Sequence, residues 1–302
     1  MISVIVPAHN EAAVIGESLA SYIAAAGGLA VEVLVVCNGC SDNTAAVAGA
    51  FAGVVPAVRV LESAVASKVG AVNLGLSEAR GDVVVCVDAD VRLGGAGLGG
   101  LVRELSRPGV LAAAPKAVMD FGGGTPWFVR AYYKLWLELP YVREGMVGCG
   151  VYALNAGGRA RVGAIPNIIS DDGYVRFQFN SAERVLAEDV TAIVRAPRSV
   201  MGLIRIKTRS RLGRLQLRQL PGRVVAGSRR SAGAFGVLWP FLLVRPKLWP
   251  CVVPYLIVTL VTRWRAGRQF SKLADYVWER DLSTRVAAAA SDLGTPESKR
   301  HG

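Results

Sequence analysis

The 302 residues can bury one full core, and 52% hydrophobic against 19% charged residues leaves more apolar surface than that core needs, so a further partner is expected, a membrane first. A formal net charge of +12 argues against cationic partners and for phosphates, acidic lipid headgroups or nucleic acid. The five cysteines are odd in number and scattered, and the N-terminus enters a strand pattern without an apolar leader, which sets aside a secreted, disulfide-built fold and reads as a reducing, cytoplasmic protein.

Ile2 to Val6 is a short β-branched run closed by Pro7. From Glu11 to Ala26 the residues Ile15, Leu19 and Tyr22 recur at helical spacing before Gly27-Gly28, which predicts strand, loop and helix. The pattern repeats with a strand over Val31 to Val36, a polar turn from Asn38 to Asp42 and a helix through Ala45 to Phe51. A strand over Val58 to Leu61, a helix over Lys68 to Arg80 and a fourth strand over Val83 to Val87 follow. Near-continuous apolar strands alternating with helices predict an α/β fold, a mostly parallel sheet covered on both faces, whose ligands gather at the carboxyl ends of the strands.

Farther along, Leu101 to Leu105 reads as a helix, Val110 to Ala114 as a strand and Trp127 to Leu137 as an aromatic-rich helix. Gly145 to Gly150 reads as a flexible link to a strand over Val151 to Leu154, and Asp171-Asp172 opens a helix through Arg176. No Asp or Glu stands between Val190 and Ala274, a stretch that holds Arg205, Lys207, Arg209, Arg211, Arg214, Arg218, Arg223, Arg229 and Arg230, so the basic character belongs to the C-terminal third. Two apolar stretches, Ala234 to Val244 and Leu248 to Val261, come next, and the small, polar residues after Arg285 predict a disordered tail.

Asp88 and Asp90 follow the fourth strand at a spacing of two, and the small Ala89 between them lets both carboxylates reach the same pocket. Two hard oxygen ligands there suit Mg2+ or Mn2+, whose other positions go to waters and diphosphate oxygens; an Asp at a strand-to-loop junction also caps turns. Polar clusters at neighbouring strand ends favour the metal, because a site needs convergence.

In order along the chain, Val6-Pro7-Ala8-His9-Asn10-Glu11, Asn38-Gly39-Cys40-Ser41-Asp42, Lys68, Asp88-Ala89-Asp90 and Asp171-Asp172 resemble glycosyltransferase family 2, of GT-A fold, over roughly the first two-thirds of the sequence. The resemblance implies a Rossmann-like, mostly parallel sheet and inverting transfer of a sugar from a nucleotide-sugar donor. It implies that Pro7, Ala8, His9 and Glu11 line the nucleoside, with Glu11 accepting from ribose hydroxyls. Asn38 would meet the base where many members carry an Asp; an amide both donates and accepts, which leaves UDP-, GDP- and dTDP-sugars open. Lys68 would approach base or phosphates, and Asp88, Ala89 and Asp90 would hold ribose and metal.

Asp172, within Ser170-Asp171-Asp172-Gly173, matches the family's catalytic base, which takes the acceptor hydroxyl's proton as its oxygen attacks the anomeric carbon, with Asp171 left to cap the helix. Gly148 and Gly150 resemble a glycine-bearing acceptor loop, where a missing side chain lets sugar approach the backbone. Arg209 and Arg211 fall roughly where membrane-bound relatives place a diphosphate-contacting Gln-x-x-Arg-Trp segment. Here the Gln and Trp are absent, and a basic run also serves as a solvated or lipid-facing surface.

Two motifs are discounted. Cys37 and Cys40 have no second pair, and the only histidines are His9 and His301, so neither a redox nor a zinc site is expected. The run Gly95-Ala96-Gly97-Leu98-Gly99-Gly100 satisfies a dinucleotide-loop pattern with Asp120 at about the expected distance, yet Asp88 to Leu93 separate it from its strand. The C-terminal apolar stretches are each shorter than the roughly 20 residues of a spanning helix. Pro240, Pro250 and Pro254 interrupt them, and Arg245 and Lys247 lie between them. Helices lying in the membrane interface are expected instead, with Trp239, Trp249 and Trp264 at headgroup level and arginines on anionic lipid. Core packing or a dimer interface is the competing expectation.

The sequence thus predicts a GT-A domain over residues 1–200, a basic segment over 201–232, an apolar membrane-associating helical region over 233–284 and a tail over 285–302. The expected activity is metal-dependent, inverting hexosyl transfer to a lipid-linked or cell-envelope glycan acceptor at the cytoplasmic face of the membrane, with no nucleic-acid partner. Sugar nucleotidyl transfer is disfavoured because Pro7 to Glu11 lacks a glycine- and arginine-rich triphosphate loop. An inactive polyanion- or lipid-binding protein is disfavoured because Asp90 and Asp172 are intact.

Overall fold

The computed structural model describes residues 1–53, 57–220, 242 and 245–271. Its first part alternates as the periodicity predicts: β1 (Ile2–Ala8), α1 (Ile15–Ala26), β2 (Val31–Asn38), α2 (Thr44–Gly49), β3 (Ala57–Ser63), α3 (Lys68–Glu78) and β4 (Val83–Val87). Every residue of β1 and β2 is buried, as continuous apolar runs in a sheet covered on both faces require. The helix after β1 begins at Ile15 rather than Glu11, because the Glu11 carbonyl first closes a turn by accepting from the amides of Val14 and Ile15.

The second part contains β5 (Val91–Gly95), α4 (Gly97–Leu105), β6 (Ala112–Asp120), α5 (Trp127–Trp136), α6 (Pro140–Arg143), β7 (Val151–Leu154), α7 (Ala156–Val162), α8 (Asp171–Phe177), β8 (Arg184–Arg195) and α9 (Val200–Leu217). A 3-10 turn over Pro246–Cys251 leads into α10 (Val252–Phe270). The sequence reading missed β5, α6, α7, β8 and α9. In β8 the alternation is broken by a bulge: its register against β6 jumps from Pro115 opposite Ala187 to Lys116 opposite Thr191, which leaves Glu188, Asp189 and Val190 unpaired there.

The strands form one eight-stranded, mostly parallel sheet in the order β3-β2-β1-β4-β7-β6-β8-β5. Four of its pairings are parallel, β1 with β2, β1 with β4, β2 with β3 and β6 with β8. The order reverses at β1, since β2 and β3 lie on one side of it and β4 on the other, and in such sheets a crevice forms beyond the carboxyl ends at the reversal. The β1/β4 ladder ends at the Ile5–Cys86 pair while β1 continues beside β2 to Ala8. Pro7, which has no N–H to give, therefore sits where no β4 partner is waiting. Because β7 is antiparallel to β4, its first residues lie beside the end of β4: Val87 pairs with Val151, and the Asp88 amide donates to the Gly150 carbonyl at 2.8 Å.

Two apolar clusters hold these elements. The larger covers the faces of the sheet. In the second, Tyr132, Tyr133 and Trp136 of α5 meet Leu203 of α9 and Tyr255 and Val258 of α10. The basic segment from residue 201 is thus helical through Leu217 and buries Leu203, Leu212 and Leu217; frequent Arg and Lys hide that spacing in the sequence. Trp239, most of Ala234 to Val244 and the predicted tail lie outside the described residues. Among the described residues no helix is long and apolar enough to cross a membrane.

Candidate active site

The crevice between β1 and β4 carries a pocket with Pro7, Lys68, Asp88, Gly150, Tyr152, Asp171 and Asp172 on its wall. Lys68 opens α3 behind the cap Ser67, whose Oγ accepts from the Gly70 amide at 3.0 Å. Its ammonium lies 2.7 Å from Asp88 Oδ1 and 3.0 Å from Asp171 Oδ1. Burial works against the charge on Lys68, but Asp171, Asp88 and Asp172 outweigh it and raise its pKa. For Asp88, burial raises the pKa, Lys68 opposes the rise, and Asp171 and Asp90 add to it, so that the carboxyl is pushed up to about 6. The carboxylates of Asp88, Asp90, Asp171 and Asp172 thus exceed what one ammonium balances.

The turn that carries Asp88 and Asp90 is held from beneath by Tyr22 of α1. Its hydroxyl donates to the carbonyls of Asp88 at 3.1 Å and Val91 at 2.7 Å. Burial, followed by the charges of Asp90, Asp88 and Glu11, raises the Tyr22 pKa, so the phenol stays a donor. In sequence Tyr22 reads only as one member of a helix's apolar stripe, and its role as a brace carries no local signal. Tyr152 was likewise hidden in a four-residue apolar strand.

Pro7, Lys68, Asp88, Gly150 and Asp172 meet at one pocket. Asn38 is 3% exposed, and its Nδ2 donates to the carbonyls of Ala8 at 2.7 Å and Val36 at 3.4 Å. Its amide hydrogens serve backbone carbonyls of β1 and β2, as buried carbonyls demand. His9 is drawn the same way, its Nδ1 donating to the Asn38 carbonyl at 2.5 Å. Glu11 is buried, and its amide donates to Thr44 Oγ1 at 2.8 Å.

Of the two adjacent acids it is Asp172 that joins the helix cap. Ser170 is the N-cap of α8; its Oγ accepts from the Gly173 amide at 3.3 Å and donates to Asp172 Oδ1 at 2.7 Å. Asp172 Oδ1 also accepts from Gly173 at 2.7 Å. Asp171, expected at the cap, is buried against Lys68 instead.

Gly148 and Gly150 have φ of 66° and 62°. A Cβ on Gly148 would stand 2.3 Å from the Trp136 ring, and one on Gly150 would stand 2.9 Å from Asp88 Oδ2. The absent side chains make room for Trp136 and Asp88. Arg209 and Arg211 belong to α9 and are not on the pocket wall. Burial, then Arg214, Arg263 and Arg218, lowers the Arg211 pKa to about 10.

The discounted motifs are packing features. All five cysteines are free, and burial, then Cys40, pushes the Cys37 thiol up to about 12. The glycine run does leave a strand directly, β5, contrary to expectation, but Gly95 lies against the Asp189 carbonyl and Gly97 against that of Ala25. Asp120 pairs with Arg92 at 2.7 Å.

Among the described residues no group of three or more His, Cys, Asp or Glu side chains is arranged to hold a metal. Asp88 and Asp90, with the surplus of carboxylate around them, fit a divalent cation that takes two protein oxygens and completes its shell with water and phosphate.

The glycosyl transferase family 2 model matches residues 3–160, which include Asp88 and Asp90 and end before Asp171. A comparison with curated proteins finds no match. Among solved structures the chain is similar to the mannosyltransferase PcManGT from Pyrobaculum calidifontis in complex with GDP-Man and Mn2+, at 21% identity over 91% of this chain and 80% of that one, with a TM-score of 0.56. It is also similar to residues 1–349 of TarS from S. aureus in complex with UDP-GlcNAc, at 16% identity over 73% of this chain and 67% of that one, with a TM-score of 0.50. These likenesses show the GT-A fold.

Proposed function

The chain belongs to glycosyl transferase family 2 and is a glycosyltransferase, and from that premise we propose a metal-dependent, inverting enzyme that takes a nucleotide sugar at the β1/β4 crevice and serves a membrane-linked acceptor. The observation that carries the reading is the meeting of Asp88, Asp171 and Asp172 with Lys68 at one pocket beyond the strand ends. A divalent cation held by Asp88 and Asp90 supplies, when bound, positive charge that stabilises a departing diphosphate. The chain's own groups orient the rest. Tyr22 fixes the turn through the Asp88 and Val91 carbonyls, and Lys68 holds Asp171 in an ion pair.

Asp172 is the base in this reading. Its Oδ1 is occupied by Ser170 and Gly173, which fixes the carboxylate in one orientation. Oδ2 then takes the proton of the acceptor hydroxyl as that oxygen attacks the anomeric carbon from the face opposite the diphosphate. The P. calidifontis neighbour binds GDP-Man and the S. aureus neighbour UDP-GlcNAc, so the donor screen spans UDP-, GDP- and dTDP-sugars with Mn2+ or Mg2+. Thermal stabilisation by one of them that is lost on chelation is the expected result, as is its loss in Asp90→Ala; indifference to every donor would overturn the reading.

The membrane side of the proposal rests on α10. Val253, Ile257, Leu260 and Trp264 are 62%, 44%, 63% and 61% exposed and follow one another along one face, opposite the buried Tyr255, Val258, Thr262 and Ala266. Arg263 and Arg268 flank the stripe, with the Arg268 guanidinium 4.9 Å from the Trp264 ring centre. An apolar face edged by cations, with no acid between residues 190 and 274, suits an anionic bilayer surface.

A further inference from the structure

Lys207, Arg211, Arg214 and Arg218 of α9 follow one another at steps of four, three and four residues, which puts them on one face of that helix. Arg263 of α10 joins them, because α10 packs along α9 and its charge, with those of Arg214 and Arg218, bears on Arg211. No ion pair among the described residues involves Arg211, Arg214, Arg218 or Arg263. Like charges at these spacings weaken a helix, so the fold alone gives no reason for the stripe.

Its place gives one. A Cβ on Gly213 would stand 2.6 Å from Ser170 Cβ, and Gln216 Oε1 accepts from the Ile169 amide at 2.9 Å. Thus α9 is fastened to the start of α8, the helix that bears Asp172. On α8 itself, Arg176, one helical turn after Asp172, donates to the Tyr141 carbonyl at 3.3 Å. The arginines therefore belong to the helix that holds α8 in place, on a face other than the one packed on Ser170, and Arg263 adjoins the apolar stripe of α10.

We propose that Arg211, Arg214, Arg218 and Arg263 bind the phosphate ester of a phospho-amphiphile, whose apolar part lies on the α10 stripe. Guanidinium forks match phosphate oxygens in pairs, and a cluster with no carboxylate paired to it among the described residues favours a multiply charged anion. The adjoining apolar face selects a hydrocarbon. That this molecule is the acceptor rests on the glycosyltransferase reading of Asp172; that it binds does not.

The test uses the full chain and phosphatidylcholine vesicles with and without phosphatidic acid, with glycerol 3-phosphate as the soluble phosphate ester. The triple variant R214Q/R218Q/R263Q, at three exposed positions, should weaken binding to phosphatidic acid vesicles on the order of a hundredfold. R214K/R218K/R263K, which keeps charge without the fork, should fall between it and the parent. R103Q/R107Q/R161Q removes equal charge from a distant surface and should bind as the parent does. The proposal is overturned if that control loses as much, if the first variant loses nothing, or if the parent binds neither vesicles nor glycerol 3-phosphate. Equal affinity for glycerol 3-phosphate and vesicles keeps the phosphate site and overturns the apolar half. Donor stabilisation of the parent, read separately, tests the enzymatic assignment independently of this outcome.

Discussion

Lys68 is the hinge of the site's electrostatics, and a double-mutant cycle with Asp171 measures it. At 3.0 Å and an effective dielectric near 20, two unit charges attract by about 5.5 kcal/mol. Solvent screening at the 26% exposed Lys68 side chain, and Asp88 at 2.7 Å from the same ammonium, take back more than half of that in a cycle. A coupling of about 2 kcal/mol remains. Lys68→Met alone should cost about 3 kcal/mol, because it leaves Asp171 and Asp88 without their cation, and Lys68→Met with Asp171→Asn should cost less than the sum of the single changes by the coupling.

Urea unfolding of the four proteins near neutral pH reads these values. The sign of the pH dependence follows from Asp88, whose folded pKa of about 6 exceeds its unfolded value of about 3.9. Between those values the folded state binds more protons, so this group favours folding as pH falls. Lys68→Met removes the charge that restrains that rise, and its cost should shrink on acidification. A coupling below about 0.5 kcal/mol, or a cost that grows as pH falls, would refute the ion-pair account.

Asp172→Asn should retain donor stabilisation and lose transfer by about a hundredfold or more, measured by product formation; full activity would place the base elsewhere. Gly148→Ala should destabilise the chain by about 2–4 kcal/mol in denaturant unfolding, because its Cβ meets Trp136 and its φ is positive. Glu32 accepts from Ser3 Oγ at 2.6 Å and the Arg80 amide at 2.7 Å; burial opposes ionisation, but these bonds and Arg59 hold its pKa below the usual value. Its stabilisation is therefore present above the unfolded value near 4.3 and lost as pH falls below it, so an acid titration of Glu32→Gln should converge on the parent there. Ile257→Asp with Leu260→Asp should abolish flotation with anionic vesicles at an unchanged melting temperature; undiminished flotation would remove α10 from the membrane face.

Much of the fold could be read from residues alone. The strands from Ile2 to Val87 announce themselves because hydrophobic period and turn chemistry are local properties, and the donor-side motifs fall at strand ends because β1, β2 and β4 are parallel neighbours. β8 was not legible, since its bulge interrupts alternation, and α9 was not, since arginines dilute its apolar spacing.

By itself the sequence determined the α/β alternation, the order of the motifs and the place of Asp88 and Asp90 beyond a buried strand. Tertiary structure alone decided what those groups face. Asn38 turns to the Ala8 carbonyl, Asp171 rather than Asp172 meets Lys68, and Trp136 takes the room left by Gly148. Each of these outcomes depends on partners that chain distance does not supply: Lys68 and Asp171 are remote in sequence and 3.0 Å apart in space. A carboxylate's character is set by the charge and burial around it, and these arise only when the strands and helices have packed.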